Sequence, residues 1–144
     1  MSQENVEIVR RTWEIVQRVT DVGAAFDECV REGLVAPDFR WRGGPRGGRA
    51  IAGIEDASGR DEYVEMMRRF AEGFEDVRFE VERIIDAGND RVVSVTRLFA
   101  TGAQSGVPVE LHSAHLHWLD AGCIVRTDEF LDPAEALEAA GLRE

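Results

Sequence analysis

Residues 107–131, VPVELHSAHLHWLDAGCIVRTDEFL, decide the fold. Two runs of extended-chain composition flank Asp120-Ala121-Gly122, a hairpin turn signal. Residues two apart on a strand share a face. Leu111, Ser113, His115, His117 and Leu119 therefore fall on one side, with Val125, Thr127, Glu129 and Leu131 of the following strand. Glu110, His112, Leu116, Trp118, Arg126, Asp128 and Phe130 fall on the other.

Upstream, Gly102 to Gly106 forms a turn that joins this hairpin to a long strand from Arg91 to about Thr101. Gly88-Asn89-Asp90 turns the chain again, and before it Val77, Phe79 and Val81 alternate with Arg78, Glu80 and Glu82 as a half-buried strand. The adjacent Ile84 and Ile85 break the alternation and predict a bulge. An antiparallel meander buries one face first. Continuity of apolar residues assigns Val93, Val95, Arg97 and Phe99 to the face of His115 and Glu129, and Ser94, Thr96 and Leu98 to the outer face. Leu98, Leu116, Trp118 and Phe130 would then form an exposed apolar patch, which predicts a homodimer through the outer sheet face.

The flanks are helical. Val6, Val9, Trp13 and Val16 recur at three- and four-residue steps and predict a helix from about Gln3 to Val19. Asp21 has the form of an N-cap for a second helix carrying Ala24, Ala25, Cys29 and Val30, which stops near Gly33. Pro37 interrupts, and Asp38 to Arg42 reads as a short strand. Ser58 with Asp61 resembles a capping box opening a third helix, whose stripe is Tyr63, Met67, Phe70 and Phe74. At the end, Asp132, Pro133, Glu135 and Gly141 spell N-cap, first helical residue, capping-box acid and stop. Three helices, a strand meander and a terminal helix make an α+β class domain spanning residues 1–144 as a single unit.

Composition narrows the function classes. A chain of 144 residues buries roughly two thirds of its unfolded surface without a metal or disulfide. Twenty-eight acidic against seventeen basic residues leave a net charge of −11, which repels a phosphate backbone; no nucleic acid is expected as partner. Cys29 and Cys123 lack CxxC spacing and read as two packed thiols. No apolar run reaches membrane-spanning length and the opening residues hold no secretory core, so no membrane partner is expected and the default location is cytoplasmic. The glycine-rich stretch 43–54 lacks GxGxxG spacing and context, and no cofactor is expected. Arg42, Arg46 and Arg49 around it suit a solvated loop better than a receptor for an anionic ligand.

Three segments, SQENVEIVRRTWEIV, HLHWLDAGCIVR and FLDPAEALEAAGL, resemble the SnoaL-like branch of the nuclear-transport-factor-2-like superfamily, and the likeness covers nearly the whole chain. The resemblance implies a cone-shaped curved antiparallel sheet wrapped around the N-terminal helices, with a short C-terminal helix and one apolar cavity. Members include polyketide cyclases, a ketosteroid isomerase, epoxide hydrolases, dehydratases and proteins without catalysis, so the fold does not select a reaction. By this resemblance Trp13 stands where the isomerases carry a tyrosine donor, and His115 where they carry a protonated aspartic acid. Their catalytic aspartate falls on Gly43, which argues against that isomerisation. Glu129 and Arg97 are similar in position to the water-activating aspartate and its arginine in limonene-epoxide-hydrolase-like members, while Phe99 replaces a further acid.

The candidate catalytic residues are therefore His115, Glu129, Arg97 and His117. A histidine in an apolar cavity is a ready acid or base, and a buried carboxylate needs a partner, for which Arg97 is the candidate. His115, His117 and Glu129 have the residue types of a metal's facial triad, yet no supporting residues accompany them and no metal is expected. Trp13, Trp41, Tyr63, Phe99 and Ser113 are the candidate pocket lining. Two readings stay open: an isomerase, cyclase or hydrolase acting on a hydrophobic small molecule such as a carbonyl or epoxide compound, or a non-catalytic ligand-binding or dimerisation domain.

Overall fold

The computed structural model describes residues 2–43 and 55–142. In chain order they form α1 (Ser2–Arg18), α2 (Val22–Arg31), β1 (Val35–Arg42), β2 (Ala57–Ser58), α3 (Gly59–Ala71), β3 (Phe74–Gly88), β4 (Arg91–Gly102), β5 (Pro108–Asp120), β6 (Cys123–Phe130) and α4 (Pro133–Ala139). One sheet runs in the order β2-β1-β6-β5-β4-β3. The β3–β6 meander is antiparallel, while β1 lies parallel beside β6 and makes the sheet mixed. It curves without closing, giving the cone-like α+β architecture, with α1–α3 packed inside and α4 outside.

Local chemistry explains most boundaries. Asp21 accepts a hydrogen bond from the Ala24 N–H at 2.9 Å and starts α2; Asp132 does the same for Ala134 at 2.9 Å and starts α4. At α3 the Ser58 side chain makes no cap bond, and the Glu62 carboxylate accepts the Ser58 N–H at 2.9 Å instead. Asp61, predicted for that role, pairs with Arg60. β1 begins at Val35, ahead of the predicted Asp38, because Pro37 sits where the β1–β6 register shifts between Val35 and Arg40 and no ladder bond is demanded of it. Asn89 and Asp90 take positive φ of 55° and 59° in the two-residue turn between β3 and β4.

Register corrects the face assignment of β4. Thr101 pairs with Pro108 across an even-length connection, so even positions of β4 share a face with odd positions of β5. Ser94 stands opposite His115, Thr96 opposite Ser113 and Leu98 opposite Leu111. Val93, Val95, Arg97 and Phe99 therefore lie on the outer face, not beneath the helices. In β6 the register shifts between the Trp118–Arg126 and Leu119–Ile124 pairs, leaving Val125 as the extra residue. Ile124, Thr127 and Glu129 consequently share the inner side. In β3 a shift lies between Val81 and Arg83, just before the predicted Ile84–Ile85.

Two apolar layers result. Inside, Val9, Phe26, Leu34, Phe39, Val64 and Ile124 belong to one buried cluster. Outside, Val93, Val95, Ala114, Leu116 and Phe130 pack under Ala136 and Leu137 of α4 and Ala140, which caps it. Full burial of a side chain such as Leu116 contributes about 1.5–3 kcal/mol. The patch predicted to be exposed is thus mostly covered within the chain. Leu116 and Phe130 lie in the α4 layer, Leu98 faces inward, and Trp118 lies beneath the Arg126 guanidinium at 4.3 Å. The apolar surface on which the expected homodimer rested is correspondingly reduced. Cys29 and Cys123 are both free thiols, and no helix among the described residues is long and apolar enough to cross a membrane.

Candidate functional site

Between the helices and the concave face lies a cavity of about 340 Å³. α1 contributes Trp13 and Val16, α3 contributes Tyr63, Met67 and Phe70, and β1 contributes Trp41. The floor comes from β4–β6 through Leu98, Leu111, Ser113, His115, Thr127 and Glu129. Aromatic rings dominate the wall, and the size is at the lower end of small-molecule pockets.

His115 and Glu129 face each other across β5 and β6, as directly paired residues do. Their Nε2 and Oε2 atoms are 3.3 Å apart, an ion-pair distance, and both side chains are largely withdrawn from solvent. The His115 ring is gripped by Trp13 at 5.2 Å and Trp41 at 5.6 Å between centroids. Its Nδ1 is buried without a hydrogen-bond partner among the described residues, and so is the Trp41 indole nitrogen. An unmet buried polar group costs about 1–3 kcal/mol, and indole N–H groups in protein interiors usually find an acceptor.

His117 occupies a contrasting position. Trp13 Nε1 donates to Ser94 Oγ at 3.0 Å, Ser94 Oγ lies 2.8 Å from His117 Nε2, and His117 Nδ1 lies 2.8 Å from Thr127 Oγ1. Both ring nitrogens are thus engaged in a chain from α1 to β6. Burial, with the neighbouring His115 second, pushes the His117 pKa well below the usual histidine value, so the ring is neutral. With both nitrogens held, His117 offers neither a free base nor an open ligand position. Among the described residues no group of three His, Cys, Asp or Glu is placed to hold a metal ion. The Tyr63 ring lies 5.4 Å from Trp41, tilted by 49°, and burial followed by the Glu129 charge raises its pKa, keeping the phenol protonated.

The structure brings together His115, Glu129, His117, Trp13, Trp41, Tyr63 and Ser113. Arg97 and Phe99 are not among them. Arg97 lies on the outer face, where it binds Glu82 and Glu110, and Arg78 covers the Phe99 ring at 4.5 Å. The same odd-even register turns both away from the cavity. Sequence reasoning missed Ser94 and Thr96, which bond His117 and Ser113 on the inner side. The length of the β4–β5 connection was the signal that could have found them. Arg42 pairs with Asp56 at 3.3 Å; Arg46 and Arg49 lie outside the described residues.

The family model described as SnoaL-like domain matches residues 9–127. A comparison with curated proteins returned no match. Among solved structures, an NTF2-like protein from Burkholderia thailandensis E264 is 27% identical, with a TM-score of 0.68 over 94% of this chain and 95% of that one. An NTF2-like protein of unknown function from Burkholderia pseudomallei K96243 is 22% identical, with a TM-score of 0.69 over 96% and 97%. TerC co-crystallised with polyporic acid is 17% identical, with a TM-score of 0.69 over 96% and 98%. The last two likenesses are of fold alone.

Proposed function

Starting from the fact that the chain belongs to the SnoaL-like domain family, we propose that it binds a compact, hydrophobic carbonyl compound in the inner cavity and moves a proton on it through the His115–Glu129 pair. One observation carries this reading. Among the described residues, this is the one acid–base pair in contact on the cavity wall, with the two groups 3.3 Å apart. Glu129 keeps more free surface than His115 and would take the proton from carbon beside the carbonyl; His115 holds the carboxylate in place and shares its charge. The proton returns to the same or a neighbouring carbon, which needs no cofactor. The apolar wall keeps water from competing for the carbanion. TerC, similar in fold, was co-crystallised with polyporic acid, which supports a small-molecule occupant in a fold of this kind.

The test uses 2-acetylnaphthalene in deuterated buffer, with proton NMR following loss of the α-methyl signal. The wild-type protein accelerates deuterium uptake, whereas Glu129→Gln and His115→Phe bind the ketone and lose the acceleration. Uptake unchanged in both variants overturns the assignment. Binding without accelerated uptake in the wild type selects the non-catalytic reading.

A further inference from the structure

The reading above leaves a buried donor on the cavity wall unused. Trp41 is 6% exposed, it lines the cavity, and its indole N–H has no acceptor among the described residues. The other two tryptophans differ. Trp13 gives its N–H to Ser94, and Trp118 lies on the outer face under Arg126. Trp41 is held by both its strand and its ring contacts. β1 holds it opposite Thr127 on β6 and Ala57 on β2, and its ring contacts both Tyr63 and His115.

An indole can only donate. Its complement is therefore an acceptor oxygen, and none of the described residues supplies one. We infer that Trp41 is the polar anchor of the cavity: its N–H donates to a carbonyl or hydroxyl oxygen of an otherwise apolar ligand, and so sets that oxygen beside His115. This rests on the small-molecule reading and narrows it to ligands bearing an oxygen close to one apolar ring system. Hydrocarbons of the same shape leave the donor unmet and are discriminated against, because the desolvated N–H stays without a partner in their complex.

Shape-matched probes test this. 2-Acetylnaphthalene and 2-isopropenylnaphthalene differ in a C=O against a C=CH₂ group; acetophenone and isopropenylbenzene repeat the comparison with one ring. They are titrated into nitrogen-15-labelled protein, and the Trp41 indole signal is identified by its loss in Trp41→Phe. The ketones shift that signal downfield and the hydrocarbons do not. Trp41→Phe weakens ketone binding about tenfold and hydrocarbon binding less than twofold. Ketone binding that leaves the indole signal in place and is unchanged in Trp41→Phe overturns the anchor while sparing the pocket. Failure of all four probes to bind removes the small-molecule reading and the anchor together.

Discussion

The two faces of the meander carry the same pair of side chains in opposite settings. Inside, His115 meets Glu129 at 3.3 Å among aromatic rings. Outside, His112 meets Glu82 at the shorter distance of 2.8 Å, with Arg97 and Glu110 completing a half-exposed network. Arg97 first, then His112, lowers the Glu82 pKa, as expected of a solvated charge cluster. The shorter contact is the less consequential one. Water screens the outer network and competes for each of its bonds, whereas the inner pair is largely withdrawn from solvent beside the cavity. Setting, rather than distance, separates a candidate reaction centre from a surface ion network.

The sharpest way to break that comparison is to remove the inner pair. His115→Phe and Glu129→Gln each lower proton exchange on 2-acetylnaphthalene by about 100-fold or more, with folding retained by circular dichroism. Next comes the outer apolar layer. Leu116→Ala opens a cavity under α4 and destabilises the chain by about 2–5 kcal/mol, measured by urea unfolding, while leaving ketone affinity unchanged. A smaller effect separates the two inner histidines. The His117 pKa is depressed on folding, so the unfolded chain takes up a proton near its ordinary value while the folded chain does not. Stability is therefore full above about pH 6.5 and falls as the pH drops below it. His117→Gln weakens the Ser94–Thr127 chain by about 1–3 kcal/mol at neutral pH and flattens that acid-side decline. The smallest effect belongs to the outer network: Arg97→Gln shifts the thermal midpoint slightly, less again in 1 M salt, and changes neither ligand binding nor exchange.

How far these features were legible in the sequence depends on whether a local or a relational signal carried them. The end of α1, the caps of α2 and α4 and the meander turns are local, and the residues state them. Placement of His115 follows from strand alternation within β5, whereas Glu129 shares its face only through the register shift at Val125. Arg97 and Ser94 exchanged faces because apolar continuity is a poor guide where the cavity floor is polar: Ser94 and Thr96 face inward to bond His117 and Ser113. The coverage of Leu116 and Phe130 was hidden too, since only the packing of α4 shows where that short helix lands.

The single surplus residue in β6 ties these layers together. Val125 offsets the hairpin by one position, and that offset sets Glu129 across from His115 while Phe130 sits across from Ala114 beneath α4. If the ladder absorbed Val125 as an ordinary pair, Asp128 would come to stand across from His115, Glu129 would point toward the hydrophobic layer of α4, and Phe130 would turn into the cavity. That slip is thus penalised on both sides at once, so the carboxylate that faces His115 is set by the same offset that seats the terminal helix.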